Sequence, residues 1–301
     1  MRSEVDLLSV IHKYGTDEQC RDRIISLRWP DGVKCLKCQD DSVSYITTRK
    51  LFECNACEYQ FTPTVGTIFH DSHLPLTKWF YATYIICESR KGVSANQLKR
   101  MLRVTYKTAW YLCHRIRKAM AEAEGHKLNG TVEVDETYIG GKQRGHKGQL
   151  KHKAPVIGIR ERGGHLHFIR ATDVNQKTVY DIINRNVDKT VDVIMTDESR
   201  LYNFDLTQYH GKPEAVNHSA DEYVRYNNGM CITTNSVESA FSLLKRGIVG
   251  TWHQISTKHL QAYLDEMTWR FNNRKNPYLF RDTILKLIAS SNLEYKHLTA
   301  A

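Results

Sequence analysis

Apolar and polar residues change their spacing several times along this chain, and each change predicts a different kind of element. Residues 1–30 carry apolar Val5, Leu8 and Ile11, then Ile24, Ile25 and Leu27, and read as helical. Residues 31–73 lose that spacing and are rich in turns and cysteine. From Leu76 to Ser89 the apolar residues Trp79, Phe80, Tyr84, Ile85 and Cys87 predict one helix, which Gly92 ends. Ser94-Ala-Asn-Gln97 has capping-box spacing: Ser94 accepts from the amide three residues on, and Gln97 reaches back. It opens a short helix with Leu98, Met101 and Leu102 inward. Arg103-Val-Thr105 is then a turn. Thr105 caps a third helix, Tyr106 to Met120, with Ala109, Leu112, Cys113, Ile116 and Met120 on one face.

After a glycine-containing linker, Ala123 to Gly130, the spacing becomes that of strands. In Thr131–Ile139, Val132 and Val134 point one way while Glu133, Asp135 and Thr137 point the other. Pro155–Ile159 and Leu166–Arg170 follow as strands joined through Gly163-Gly164. Thr178 to Val187 fits a helix, and Val191–Asp197 is a buried strand ending in an acid. Three strands, a helix and a fourth strand ending in Asp is the order of a ribonuclease-H-like α/β fold. In that topology the first and fourth strands adjoin, so Asp135 and Asp197 meet at one place on the sheet. Two carboxylates held together stay ionised only with a cation between them, and Mg²⁺ prefers such oxygen ligands. Asn235-Ser-Val-Glu238 opens a further helix, with Asn235 as N-cap and Glu238 three residues in. Spacing alone serves equally well for a helix cap and for a third metal-binding carboxylate. Ser256 to Asn273 is a last long helix, whose stripe of Leu260, Tyr263, Leu264, Met267 and Phe271 reads as core. The expected domains are a helical segment 1–30, a cysteine-rich module 31–73, a basic helical region 74–125 and a mixed catalytic domain 126–295.

Charge points to the partner. The net charge is +10, and the excess is local. Between Leu74 and Met120 there are ten Lys/Arg against one acid, Glu88; between Lys142 and Arg162 there are seven against one, Glu161. Basic clusters of this kind suit a polyanion, because each neutralised phosphate releases counterions. Duplex DNA is the expected form, with RNA as a competitor. A short helix, a tight turn and a longer basic helix is also the layout of a helix-turn-helix. On that reading Tyr106, Lys107 and Thr108 face bases or phosphates, while Arg115, Arg117 and Lys118 meet the DNA backbone further along. An ordinary helical hairpin is the competing reading.

Of the eight cysteines, four form two pairs, Cys35-Leu-Lys-Cys38 and Cys54-Asn-Ala-Cys57. Two such knuckles place four thiolates at the corners of a tetrahedron, which suits Zn²⁺. The strand-like segments Val43–Thr48 and Lys50–Cys54 between them make the module a small ribbon. So small a module takes much of its folding free energy from the metal. The sequence has no run of about 18 apolar residues and no secretory leader pattern at its N-terminus, so a cytoplasmic, nucleoid-associated protein without a membrane span is expected.

Together these segments resemble the bacterial insertion-sequence transposases of the DDE superfamily, in the ISXO-like branch with an N-terminal zinc ribbon that is related to Merlin elements. The resemblance rests on the ribbon with Gly66-Thr-Ile-Phe69, on Val132 to Lys142, on Thr196-Asp-Glu198 with Tyr202, and above all on Thr234 to Gly247. Lys258–Tyr263 and Arg270–Arg274 add to it. It implies a catalytic triad of Asp135, Asp197 and Glu238 holding two Mg²⁺ or Mn²⁺ ions bridged by Asp135, with structural Zn²⁺ on Cys35, Cys38, Cys54 and Cys57. It implies cleavage at element ends and strand transfer into target DNA, with Lys142 and Lys245 along the DNA. Two ends must be held together, so a homodimer or higher oligomer is expected. The alternatives are a metal-dependent nuclease that cuts without joining, and a domesticated regulator that uses the ribbon and helix-turn-helix alone.

Overall fold

Side-chain caps open the first two helices. Asp6 accepts from the Ser9 amide to start α1 (Leu7–Lys13), and Thr16 forms a full capping box with Gln19 to start α2 (Asp17–Arg28). The computed structural model describes residues 5–121, 126–141, 153–211, 213–217, 222–227 and 229–300. The cysteine-rich module contains β1 (Val43–Ile46), β2 (Leu51–Cys54) and β3 (Gln60–Phe61), an antiparallel sheet in that order. Its small core gathers Phe52 and Phe61 with Trp29. Then come α3 (Leu76–Glu88), α4 (Ala95–Leu102) and α5 (Tyr106–Met120). Ser94 caps α4 through the Gln97 amide at 3.1 Å, and Arg103 ends it in the left-handed conformation (φ 50°). Thr105 caps α5 through the Thr108 amide at 3.1 Å. Met101, expected inward, is 54% exposed, because α4 is short and its buried stripe narrows to Leu98 and Leu102.

A second compact unit, Ala121–Arg274, holds the mixed sheet. Its elements are β4 (Thr131–Ile139), β5 (Ala154–Glu161), β6 (Leu166–Arg170), α6 (Gln176–Asn186), β7 (Val193–Asp197) and β8 (Pro213–Val216). The strand order is β6-β5-β4-β7-β8. The first three strands pair antiparallel, and β4, β7 and β8 run parallel. This is the ribonuclease-H-like arrangement. A short hairpin of β9 (Arg225–Asn227) and β10 (Met230–Ile232), which the spacing did not predict, precedes α7 (Asn235–Gly247) and α8 (Leu260–Asn272). Each face of the sheet buries its own core. Val132, Val134, Ile157 and Ile159 pack with Val179 and Ile183 of α6. On the opposite face Val156 and Phe168 pack with Val237, Phe241 and Leu244 of α7 and with Leu264 and Met267 of α8. The alternation along β4 thus puts its valines under α6 and its odd-numbered acids toward α7.

The chain then returns to the first unit, which comprises Met1–Met120 together with Lys275–Ala301. The helix α9 (Leu279–Ala289) places Phe280 against Tyr14, Phe80 and Tyr84, with ring centroids 5.8, 6.3 and 5.9 Å away. The segment α10 (Tyr295–Thr299) follows. The sequence reading ran the catalytic domain on to residue 295. The mixed unit ends instead at Arg274, because the apolar face of α9 fits the aromatic cluster of the N-terminal helices. Among the described residues, no helix is long and apolar enough to cross a membrane.

Candidate active site and metal centres

The parallel register of β4 and β7 pairs Thr131 with Val193, Val132 with Ile194 and Glu133 with Met195. Two residues further along, the same register sets Asp135 across from Asp197. The Asp135 Oδ1 accepts from the Glu136 amide at 2.8 Å, and the Asp197 Oδ1 from the Ser199 amide at 3.1 Å. Burial pushes the Asp135 carboxyl up from its ordinary 3.8 to about 7, aided by the charges of Glu136, Asp197 and Glu238 and opposed by the Glu136 amide. The structure therefore brings Asp135, Asp197 and Glu238 into one electrostatic neighbourhood. Glu136, a fourth acid that sequence reasoning passed over, belongs to it too. Burial raises the Glu136 carboxyl, with Asp197 adding to the effect, while the Tyr202 hydroxyl donates to its Oε2 at 2.7 Å and holds it lower. The adjacent acidic pair Asp135-Glu136 was the signal in the sequence.

Asn235 is not the N-cap of α7. The helix is capped at Thr234, one residue earlier than expected, and no side chain of its own first turn caps it. The first amides are satisfied from across the sheet by Glu133. Its Oε2 accepts from the backbone of Ser236 and of Val237 at 2.9 and 3.0 Å, and from the Ser236 hydroxyl at 2.6 Å. Glu238 instead takes a hydrogen bond from the Thr234 hydroxyl at 3.0 Å. Asp135, Glu136 and Glu238 line a groove of about 590 Å³ with Lys245 and Arg246, both exposed. Lys245, seven residues on from Glu238 along α7, reaches the same groove.

The four paired cysteines converge. Their sulfur atoms all lie within 4.8 Å of one another, with Cys35 to Cys57 at 3.6 Å and Cys38 to Cys54 at 3.5 Å. Four thiolates about 2.3 Å from a tetrahedral zinc stand roughly 3.8 Å apart, so the cluster fits Zn²⁺ and is far too open for a disulfide. Among the described residues it is the one cluster of candidate ligands drawn this tight. Asp135, Asp197 and Glu238, as an all-oxygen donor set, suit a hard divalent ion.

The residues proposed for DNA fare unevenly. Tyr106 and Lys107, at the start of α5, are exposed; Thr108 is half-buried beside Thr105. Arg115 is not available to DNA: it is 3% exposed, donates to the carbonyls of Ile68 and His70 and to Asn292, and lies over the Trp79 ring at 4.9 Å. Arg117 is buried as well. Arg115 thus serves the carbonyls of a neighbouring loop rather than a surface. Lys142 and most of the basic stretch after it lie outside the described residues. The two arginines that end that stretch do not face DNA either. Arg162 pairs with Glu133, and Arg160 donates to the Ser236 carbonyl.

Comparison with known proteins bears on all of this. Residues 127–272 match the family described as the ISXO2-like transposase domain, and residues 15–60 match the transposase zinc-ribbon domain. The chain is 28% identical over 274 residues, 84% of its length and 90% of the relative's, to the uncharacterized protein in transposable element ISH50 of Halobacterium salinarum. Among solved structures, a pre-cleavage Mos1 transpososome is 12% identical, covering 67% of this chain and 76% of that one, with a TM-score of 0.24. A score that low carries no argument.

Proposed function

The chain belongs to the ISXO2-like transposase family and bears its N-terminal zinc ribbon, and from that premise we propose that it cuts DNA at the ends of a mobile element and joins the freed strands to target DNA. The catalytic carboxylates are Asp135, Asp197 and Glu238. The observation that carries this reading is that Asp135 feels both other acids: the β4–β7 register brings Asp197 beside it, and the charge of Glu238 helps to raise it.

These three residues would hold Mg²⁺ or Mn²⁺, the donors being hard oxygens. When bound, the ions supply charge for an attacking oxygen and for the leaving oxygen of a phosphodiester. The protein's own residues then do the rest. Lys245 and Arg246, exposed on the groove beside Glu238, neutralise phosphates and hold the strand. The Glu136 amide keeps the Asp135 carboxylate oriented. Water breaks a P–O3′ bond at an element end and frees a 3′-hydroxyl; that oxygen then bonds to a target phosphorus while the target's own 3′ oxygen leaves and takes up a proton, so no covalent protein–DNA intermediate forms. The zinc ribbon and the α4–turn–α5 segment, acting as a helix-turn-helix, bind duplex DNA through Tyr106, Lys107 and Thr108, with Lys142 as a further DNA contact. Holding two ends calls for at least a dimer, and the work takes place in the cytoplasm on the nucleoid.

The test uses the full chain with zinc bound, a duplex carrying an element end, a target plasmid and Mg²⁺. End cleavage and joined products are expected, and Asp135→Asn, Asp197→Asn or Glu238→Gln should abolish both. Cleavage without joining would reduce the protein to a nuclease. Full activity in Asp135→Asn would remove the active-site assignment.

A further inference from the structure

Glu133 is fully buried, and five donors surround its carboxylate. Its Oε2 takes the backbone N–H groups of Ser236 and Val237 and the Ser236 hydroxyl. Its Oε1 takes Nε and Nη2 of Arg162, at 3.0 and 2.8 Å. Arg162 reaches further. It donates to the carbonyls of Cys231 and Thr233, in the segment leading into α7, and lies 3.2 Å from the Met195 sulfur. Glu133, Met195 and Ser236 stand two residues before Asp135, Asp197 and Glu238 in turn. One ion pair, fully buried at its Glu133 end, therefore ties together the three elements that carry these acids.

We infer that Glu133 and Arg162 are positioning residues, which set Glu238 against Asp135 by fixing the first turn of α7 to β4 and β7. The inference rests on the reading of Glu238 as a metal-binding carboxylate. The physical case has two parts. A carboxylate at a helix N-terminus is held by the exposed amides and the helix dipole, so Glu133 fixes the height and rotation at which α7 starts. From Val237 to Glu238 is one residue, and from Glu133 to Asp135 two, so little chain is left between anchor and acid to absorb a shift. Arg162 gives the buried Glu133 charge its counter-charge, and its planar fork also holds the lead-in carbonyls.

The test measures Mn²⁺ binding to the zinc-loaded, full-length protein by calorimetry and by the electron-spin signal of bound Mn²⁺. End cleavage is followed across Mn²⁺ concentrations in parallel. Glu238→Gln should weaken Mn²⁺ binding by about tenfold or more, and Glu133→Gln by about tenfold, the usual scale for a residue that acts through a metal ligand. The double variant should be no weaker than Glu238→Gln alone, because Glu133 acts only through Glu238. Ser236→Ala, which removes one bond of the five, should show a smaller loss in the same direction. A merely structural role for Glu133 would move thermal unfolding without that non-additivity. If Glu133→Gln does not fold, Arg162→Lys, which keeps the charge and loses the fork, is read in the same way. Unchanged Mn²⁺ binding in Glu133→Gln or Arg162→Lys, or losses that add to that of Glu238→Gln, overturns the inference and leaves the site reading intact. Unchanged binding in Glu238→Gln overturns both.

Discussion

Gly158 stands directly across the sheet from Asp135, and a methyl group on it would come within 2.6 Å of the Phe241 ring and 2.8 Å of Val237. The missing side chain is what lets α7 lie close enough to the sheet for Glu238 to join Asp135. Gly158→Ala should cost about 1–3 kcal/mol of stability through overpacking. The loss of end cleavage should be larger than that figure implies, because the same clash lifts the first turn of α7. Thermal unfolding set beside cleavage rate checks this; a fall in stability with full cleavage would refute it.

The raised Asp135 carboxyl makes a prediction about pH with a definite sign. In the metal-free protein Asp135 holds its proton up to about pH 7, whereas in the unfolded chain it loses it near its ordinary 3.8. The folded state therefore binds more protons across that window. The contribution of Asp135 to stability is complete below the lower value and is lost as pH rises toward about 7. In Asp135→Asn the unfolding free energy should lose that downward slope. Metal binding must displace the proton, so near pH 6 it should release about one proton per site, seen as a buffer-dependent heat in calorimetry.

The cysteine quartet should hold one zinc. Chelation, or Cys54→Ser, should unfold the β1–β3 ribbon, because apparent zinc binding in such small modules is worth roughly 10–16 kcal/mol. Metal analysis and circular dichroism together check this. The mixed unit, Ala121–Arg274, has its own two-faced core and should keep its fold.

Arg115 and Lys107 lie on one helix and should behave oppositely. Arg115→Ala leaves the buried carbonyls of Ile68 and His70 without their donor, at about 1–3 kcal/mol for each buried acceptor left unpaired. The salt dependence of DNA binding should not change. Lys107→Ala should leave stability almost unaltered, since its side chain is exposed over the Tyr295 ring. It should lower the slope of log affinity against log salt by about one phosphate contact. Titrations at several salt concentrations distinguish the two.

What could be read in advance follows the range of the interactions. The meeting of Asp135 and Asp197 was legible, because strand order in this topology makes β4 and β7 neighbours. The zinc cluster was legible because its ligands sit in two tight local pairs. Glu238 was ambiguous, since its local spacing suits a cap as well as a ligand. Glu133, which takes amides at the start of α7, lies more than a hundred positions upstream, and no local pattern reveals it. Arg115, Arg160 and Arg162 were misread for a related reason. An arginine in a basic stretch looks like surface until the carbonyls and carboxylate it serves are known, and these come from other elements. The apolar stripe of α9 announced a helix but not which core it would join. Strands β9 and β10, three residues each, are too short for alternation to register.

The return of Lys275–Ala301 to the first unit also governs the order in which the molecule can be made. In sequence the mixed unit is complete at Arg274, before the helix α9 that completes the zinc-bearing unit. Until α9 emerges, Phe80 and Tyr84 lack the Phe280 ring that packs on them. A chain ending near Arg274 would therefore carry both faces of the mixed sheet's core while the aromatic cluster of its N-terminal helices stays open.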